Sequence, residues 1–297
     1  MRIVIAGGSG FIGRALIARL EREGHKVLAL SRHPAVHPEL NALEWDPARP
    51  GLWAATLDGA DALVNLAGEP IAERRWSEVR KLSLLKSRVD ATRALVDACA
   101  RCAKPPRILL NASAVGVYGD VPEGEVDEER PRGKGFLAEV CACWEEAALR
   151  GKSCGMRVVL LRTGAVLGLG GGMLKRMLLP FRLGLGGRLG GGRQWLPWIH
   201  LDDEVSAVVH LLFAGASGPC NLCAPEPVRN EEFARALARA LRRPCIARAP
   251  ASLLRLGLGE LSSVLLEGQR AVPRRLLASG FRFRHPRLDQ ALEELLA

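Results

Sequence analysis

Short apolar runs alternate with longer amphipathic segments through the first 165 residues. The runs cover residues 3–5, 26–30, 43–46, 62–67, 107–112 and 157–162, and helical spacing of apolar positions covers 11–23, 77–103 and 136–150. Alternation of this kind predicts a parallel sheet with helices on both faces. In such a sheet the binding crevice lies at the carboxyl ends of the strands.

The second half of the chain has a different texture. Residues 168–194 contain ten glycines around the apolar stretch 173–181, which predicts a loop and a short helix beside the crevice. Asp202 and Asp203 are candidate N-caps for a helix through Phe213, and Asn230 is a candidate N-cap for a helix to Leu241. A final helix begins near residue 286.

These elements predict an α/β fold with two parts. Residues 1–167 and about 202–217 form a Rossmann-type domain, which is a doubly wound parallel sheet. Residues 168–201 and 218–297 form a smaller α+β subdomain on the substrate side. We see no tandem repeat.

The first strand ends in glycines and leads directly into a helix that Gly24 terminates. Such a turn brings a pyrophosphate close to bare backbone N–H groups at the positive end of the helix. A glycine turn without a ligand is the alternative, and the strand and helix around it favour the phosphate site. The candidate cofactor-binding residues are Gly7, Gly8, Ser9, Gly10, Phe11, Ile12 and Gly13.

The end of the second strand indicates which dinucleotide is bound. An NAD site usually has an acidic residue about 20 residues past the glycines, where it accepts hydrogen bonds from the ribose hydroxyls. Residues 24–38 contain no acid, and the strand ends in Ser31 and Arg32. A hydroxyl and a guanidinium suit the 2′-phosphate of NADP(H), although Arg32 as an ordinary surface arginine is the alternative.

Composition is typical of a soluble protein, with 48% hydrophobic residues in 297 and a mean hydropathy of +0.07. No apolar run reaches the roughly 18 residues of a membrane span. The first apolar run ends after five residues in the glycine loop, so we expect no signal peptide, no membrane partner and a cytoplasmic location.

The cysteines include two C-x-x-C pairs among a total of eight. Cys99 and Cys102 lie at the end of a predicted helix, and Cys220 and Cys223 lie in a strand-like segment, with no other ligand type close in sequence. We therefore predict free buried thiols and no metal site.

Charge is uneven, because the net charge is +10 and residues 229–297 contain 13 arginines against 7 acids. The segment has no helix-turn-helix signature and no interleaved aromatic residues, so we do not expect a nucleic-acid partner. It suits an anionic cofactor or substrate, or a solvated surface.

The motifs GGSGFIG at 7–13, NLAG at 65–68 and SAVGVYG at 113–119 resemble extended short-chain dehydrogenase/reductases. Segments 65–71, 178–187, 197–200 and 265–272 are similar to the atypical branch of NAD-dependent epimerase/dehydratase-like, epimerase-family proteins. The likeness spans essentially the whole chain, including the short C-terminal domain of that branch. It implies that Leu66, Ala67, Gly68, Arg88 and Ala165 also lie beside the cofactor, although Leu66 and Ala67 could serve packing alone and Arg88 could be a surface residue.

The catalytic signature of the resembled family is missing. Those enzymes use a Tyr four residues before a Lys, and the nearby cation lowers the phenol pKa for proton transfer. The only tyrosine is Tyr118, and Pro122 follows it at that spacing. On the helix that normally carries the pair, Leu137 and Cys141 occupy the two positions.

Other residues could supply the chemistry. Ser113 matches the hydroxyl that the family has at its strand end, Tyr118 could place its hydroxyl near the nicotinamide, and His200 could titrate near neutrality. Glu69 and Arg75 are candidates for substrate contact. A hydrogen-bonded structural role, or solvation for the last two, is the alternative in each case.

The sequence thus predicts an NADP(H)-binding oxidoreductase or epimerase-like enzyme that acts on an unidentified small polar substrate without the usual Tyr/Lys dyad. A non-catalytic NADP(H)-binding sensor or regulatory protein is the alternative. Substrate, reaction and oligomeric state stay open at this stage.

Overall fold

The fold was derived from a computed structural model that describes residues 1–49 and 51–297. The strands are β1 (Arg2–Ala6), β2 (Lys26–Ser31), β3 (Ala42–Glu44), β4 (Ala62–Asn65), β5 (Ile108–Ala114), β6 (Val121–Val126), β7 (Arg157–Thr163), β8 (Ala165–Leu167), β9 (Gly187–Leu189), β10 (Trp195–Leu196), β11 (Trp198–His200), β12 (Gly218–Leu222), β13 (Val228–Arg229), β14 (Ala247–Ala249) and β15 (Gln269–Ala271). The α-helices are α1 (Phe11–Arg22), α2 (Glu78–Cys99), α3 (Phe136–Leu149), α4 (Gly172–Arg182), α5 (Leu201–Phe213), α6 (Asn230–Ala240), α7 (Ala251–Leu258), α8 (Ser263–Leu266), α9 (Arg274–Ala278) and α10 (Leu288–Leu296).

Seven parallel strands form the central sheet in the order β12-β7-β5-β4-β1-β2-β3. Alternate residues of each strand point to opposite faces. Ile5 and Leu161 therefore pack with α1 and α5 on one face, while Val4 and Leu160 pack with α2 on the other. The Rossmann-type doubly wound sheet is confirmed.

A second core lies outside the sheet, where α4, α6 and α10 pack around Trp198 and Phe233. Four pairs of short strands support this part: β8 with β11, β9 with β14, β10 with β13, and β6 with β15. Across the described ranges 1–49 and 51–297, no helix is long and apolar enough to cross a membrane.

The predicted boundary between residues 217 and 218 is wrong. β12 starts at Gly218 and pairs with β7, so it is the seventh strand of the large sheet. The chain leaves the sheet after β7, builds α4 and the short strands, and returns through α5 and β12. The sequence pattern predicted this strand but not the strand with which it pairs, because strand pairing depends on contacts between residues that are distant in the chain.

The three N-cap candidates, Asp202 and Asp203 for α5 and Asn230 for α6, are also wrong. His200 caps α5, because its Nδ1 accepts a hydrogen bond from Asp202 N at 3.1 Å. Asp203 turns inward, where its carboxylate accepts from Arg284 N and His285 N, both at 2.8 Å. Asn230 lies inside α6 and accepts instead from Leu189 N at 2.9 Å. For Asp203 and Asn230, a tertiary contact outweighs the local capping preference.

Candidate cofactor-binding site

The glycine loop joins β1 to α1 at the carboxyl edge of the sheet. Gly7 has φ +76°, and a Cβ placed there would lie 2.8 Å from the carbonyl carbon and oxygen of Leu66. A Cβ on Gly13 would lie 2.5 Å from Gly7 O. Gly10 is the N-cap, so among residues 1–49 and 51–297 no side chain caps the first N–H groups of α1, and no acid occupies its first turn. This arrangement can accept a pyrophosphate.

The second glycine-rich segment packs on the first through Phe11. A Cβ on Gly168 or Gly171 would lie 2.7 or 2.8 Å from the side chain of Phe11. Phe11 is the first residue of α1, so its ring fixes the segment before α4 against the mouth of the glycine loop. The predicted loop and short helix beside the crevice are confirmed by this contact and by α4.

Ser31 and Arg32 lie at the end of β2, next to the glycine loop. The Ser31 hydroxyl donates to Ser9 Oγ at 3.3 Å and accepts from His33 N at 3.2 Å. Arg32 is exposed and forms no ion pair or hydrogen bond within residues 1–49 and 51–297. Its guanidinium is available for an anion such as a 2′-phosphate. The Ser31 and Arg32 placement fits NADP(H).

The loop after β4 carries the next three candidates. Leu66 N donates to Ala6 O at 2.8 Å and Ala67 N donates to Asn65 Oδ1 at 3.1 Å, so the chain continues along the carboxyl edge. A Cβ on Gly68 would lie 3.1 Å from Arg88 Cζ. Leu66 and Ala67 are half-buried and Gly68 is exposed, which leaves them able to contact a ligand.

Arg88 is buried, and burial lowers its pKa. Its guanidinium donates to Leu84 O at 3.1 Å and to Glu69 O at 2.9 Å, and Cζ lies 5.2 Å from the Trp144 ring centroid. It is therefore no surface arginine and holds the loop after β4 in place. Ala165, the last candidate from the resemblance, starts β8 and is half-buried.

Glu69 and Arg75 were the candidates for substrate contact. The Glu69 carboxylate pairs with Arg80 and accepts from Ser83 Oγ at 3.0 Å, so contacts to α2 already engage it. Arg75 is exposed, and a Cβ placed on Gly259 would lie 3.3 Å from its Nη2. The Arg75 guanidinium thus lies against Gly259 in the C-terminal part of the chain.

Ser113 belongs to a buried polar network. Its hydroxyl donates to Glu145 Oε1 at 2.6 Å, and Glu145 binds Arg162 through two contacts of 2.8 Å. Arg162 Nη1 then donates to the Tyr118 hydroxyl at 2.9 Å. The network connects β5, α3 and β7 beneath the crevice, and the ion pair is satisfied by bidentate geometry.

Tyr118 extends this network toward the C-terminal part of the chain. Its hydroxyl donates to Asn221 Oδ1 at 2.7 Å, while Asn221 N donates to Glu128 Oε1 at 3.0 Å. The side chain is 1% exposed, and burial raises the pKa of Tyr118 to about 12. The phenol is thus neutral and engaged as both donor and acceptor.

Leu137 and Cys141 occupy the dyad positions on α3. Leu137 is half-buried, and a Cβ on Gly116 would lie 3.5 Å from Leu137 Cβ. Burial raises the pKa of Cys141 to about 12, so a neutral thiol stands where the resembled family has a cation. Neither side chain can move a proton at neutral pH.

His200 stacks on His285 with ring centroids 3.9 Å apart, and Glu294 lies 3.6 Å from His285 Nδ1. One ligand atom from each of the three lies within 4.8 Å of the others. Because His200 Nδ1 accepts the capping hydrogen bond, its Nε2 carries the proton and cannot bind a metal without losing it. Burial and His285 lower the pKa of His200, so the imidazole is neutral.

The cysteines are all free thiols. Burial raises the pKa of Cys99 and Cys220 to about 12, and that of Cys223 well above its usual value. Metal ligation and disulfide exchange require the thiolate, so these groups are poor ligands at neutral pH.

Sequence reasoning missed Glu204 and Thr163. Glu204 follows the two aspartates at the start of α5 and gives the pattern of a solvated acidic turn, yet it is 1% exposed. Its Oε1 accepts from Thr163 Oγ1 at 2.9 Å, and burial raises its pKa to about 8. The helical spacing of Glu204 with Val208 and Leu211, both buried, is the signal that could have found it.

Comparisons with known proteins agree with this geometry. Residues 3–223 match the model of the NAD dependent epimerase/dehydratase family, and residues 249–295 match a domain of unknown function (DUF1731). The epimerase family protein Mb2239 of Mycobacterium bovis is 45% identical over 295 residues, which cover 98% of this chain and 96% of that protein.

Two solved structures extend the comparison. The human epimerase family protein SDR39U1 (isoform 2), crystallised with NADPH, has a TM-score of 0.90 at 37% identity and covers 100% of this chain and 99% of that one. The nucleoside-diphosphate sugar epimerase from Corynebacterium glutamicum has a TM-score of 0.81 at 34% identity, over 100% of this chain and 58% of that one.

Proposed function

Because the chain belongs to the NAD dependent epimerase/dehydratase family, we propose that it binds NADPH along the carboxyl edge of its sheet. The observation that carries the proposal is Arg32, which is exposed and has no partner among the described residues, at the end of β2 that contacts the glycine loop before α1. The glycine loop would hold the pyrophosphate, and Ser31 with Arg32 would hold the 2′-phosphate. NADPH in the human relative supports this choice.

Binding measurements with NADPH and NADH test the cofactor. An Arg–phosphate contact of about 1.5–3 kcal/mol makes NADPH bind roughly 10- to 150-fold more tightly than without it. Arg32→Ala is expected to lose that factor for NADPH and to leave NADH binding unchanged. Arg101→Ala, an exposed arginine just after α2, is the control. Equal loss for both nucleotides would contradict the assignment.

We propose further that the protein is an NADPH-dependent oxidoreductase or epimerase-like enzyme acting on a small polar carbonyl or alcohol. Support comes from the family and from the half-exposed crevice residues Leu66, Ala67 and Thr163. NADPH supplies hydride when bound. NADPH consumption with a panel of aldehydes, ketones and nucleotide sugars tests this proposal, and absence of turnover across the panel would contradict it.

A non-catalytic NADPH sensor is the second candidate, and the state of Tyr118 and Ser113 favours it. Both hydroxyls are buried and bonded to protein groups, so their contacts favour supporting roles. Catalytic roles for Ser113, Tyr118 and His200 stay predictions. Capture of a partner protein that requires NADPH, together with absence of turnover, would support the sensor over the enzyme.

Cellular setting and partners belong to the same proposal. Eight free thiols suit a reducing compartment, which supports a cytoplasmic location. The basic C-terminal segment is expected to serve an anionic small molecule rather than nucleic acid. Retention of a nucleic-acid complex at moderate salt in filter binding would contradict this expectation.

A further inference from the structure

Glu204 is a buried carboxyl with a single polar contact. It is 1% exposed, its Oε1 accepts from the Thr163 hydroxyl, and its Oε2 has no partner in the part of the chain that the structure describes. A carboxylate in such a place costs several kcal/mol, which a carboxylic acid avoids. Burial raises the pKa of Glu204 to about 8.

The groups around Glu204 leave it neutral. Thr163 donates to it from the end of β7, and the thiols of Cys220 in β12 and Cys223 just after β12 lie near enough to interact with it electrostatically, with pKa values that burial raises as well. Among the described residues no cation lowers the pKa of Glu204. The carboxyl therefore holds a proton at neutral pH in the apo protein.

Thr163 connects this proton to the crevice. It is the last residue of β7, on the edge of the sheet where the glycine loop and Ser31 also lie. Arg162, one residue earlier, points to α3, so Thr163 points to the opposite face and α5. Thr163 is only half-buried, whereas Glu204 is closed off behind it.

We propose that Thr163 and Glu204 form a proton relay for the reaction in the crevice, with Thr163 as the donor to substrate oxygen and Glu204 as the positioning residue behind it. This inference rests on the proposed oxidoreductase function. It assigns the substrate class as an aldehyde or ketone and supplies the proton that the missing Tyr/Lys dyad would otherwise provide.

In a reduction, the relay supplies the proton that the substrate oxygen gains. The carbonyl carbon gains a hydride from NADPH, and the electron pair of the C=O bond passes to oxygen. That oxygen takes the Thr163 hydroxyl proton, and Thr163 Oγ1 takes the proton of Glu204. The products are an alcohol, NADP⁺ and a Glu204 carboxylate, which regains its proton from solvent through the half-exposed Thr163 hydroxyl after the alcohol leaves. A hydroxyl can rotate between the two directions, as this step requires.

Glu204→Gln is the informative variant, because the amide keeps a hydrogen bond to Thr163 but holds no transferable proton. Thr163→Val removes the donor and Thr163→Ser restores it. Glu146→Gln, an exposed position on α3, is the control. General acid catalysis contributes about 10²–10⁴-fold. We therefore expect Glu204→Gln and Thr163→Val to lower kcat at least 100-fold, with KM and the NADPH Kd unchanged and Thr163→Ser close to wild type.

The assay uses NADPH with 9,10-phenanthrenequinone as the carbonyl probe, from pH 6 to 9. Wild-type kcat is expected to fall above about pH 8, and Glu204→Gln is expected to lose this dependence. A second readout needs no turnover: infrared difference spectra of the apo proteins at pH 7 are expected to show a protonated carboxyl in wild type and Glu146→Gln but not in Glu204→Gln.

The outcomes separate the two proposals. An ionised Glu204 at pH 7, or wild-type turnover in Thr163→Val, overturns the relay while the oxidoreductase function stands. Wild-type protein that binds NADPH yet reduces neither the quinone nor any other carbonyl overturns the oxidoreductase function and the relay together. A protonated Glu204, slow Thr163→Val and active Thr163→Ser support both.

Discussion

Replacing Glu204 by Gln should stabilise the protein at high pH. The pKa of Glu204 rises from about 4.5 in the unfolded chain to about 8 in the fold. Below pH 4.5 the group is neutral in both states and costs nothing. Above that value the unfolded state loses its proton first, so the stability of wild type falls as pH rises toward 8, and the loss is complete above the folded pKa.

The magnitude follows from the shift. Each pKa unit corresponds to 1.36 kcal/mol, so a rise from 4.5 to about 8 corresponds to roughly 5 kcal/mol. The positive N-terminus of α5 favours the carboxylate, but this effect is about 0.3–1 kcal/mol and fades after the first turn. Burial therefore prevails, and we expect Glu204→Gln to exceed wild type by about 4–5 kcal/mol at pH 8.5.

Urea unfolding at pH 5, 6, 7, 8 and 8.5 measures this difference. The free energy of unfolding of Glu204→Gln minus that of wild type should be about 1 kcal/mol at pH 5, should rise by about 1.4 kcal/mol per pH unit, and should level off near pH 8. Glu146→Gln, exposed on α3, should show no such rise. A difference independent of pH would mean that Glu204 is ionised throughout, and the reasoning about its burial would fail.

Three further predictions follow from contacts in the site. Gly13→Ala should weaken NADPH binding at least tenfold, because its Cβ would lie 2.5 Å from Gly7 O. The control Gly24→Ala, whose Cβ lies in open space at φ +82°, should cost about 1–2 kcal/mol of stability and leave NADPH binding unchanged. Equally tight NADPH binding by the two variants would contradict the loop geometry. Arg162→Met should lower the free energy of unfolding by about 3–5 kcal/mol, because it leaves Glu145 unpaired, and the added change Glu145→Leu should regain part of that free energy. A loss under 1 kcal/mol in denaturant unfolding of Arg162→Met would contradict a buried Arg162–Glu145 ion pair. Tyr118→Phe should lower the free energy of unfolding by about 1–3 kcal/mol and leave the NADPH Kd unchanged. A Tyr118→Phe variant as stable as wild type would contradict the place of the Tyr118 hydroxyl in the buried polar network.

Local pattern sufficed for the large sheet. The apolar run Ile3–Ile5 predicts a buried strand, and the helical spacing of Leu16 and Leu20 predicts which face of α1 is buried. The structure confirms both predictions. The strand-like segment around Cys220 is also confirmed, as β12. The pairing of β12 with β7 could not be predicted, because it depends on where the chain returns after α5.

The contacts between buried polar side chains could not be predicted from local sequence pattern. Arg162 occurs in an apolar run and Glu145 in an amphipathic helix, and only their mutual contact makes either tolerable when buried. The capping of α5 by His200 was missed for a similar reason, since Asp203 accepts hydrogen bonds from the backbone of residues 284 and 285 instead. The candidate cofactor residues stay predictions, and they could be named from the sequence because they lie in short contiguous motifs.

The pairing of β6 with β15 has a consequence for synthesis on the ribosome. The hydrogen bond from Gly268 N to Asp120 Oδ1, at the start of this pair, joins residues 148 positions apart. At about 5–20 residues per second, β6 waits roughly 7–30 s for its partner to be made. An unpaired strand invites pairing with other chains, and the VPEGEV sequence of β6 counters this with a proline and two exposed glutamates. The charge pattern of β6 thus protects the nascent chain during a delay that the finished fold no longer reveals.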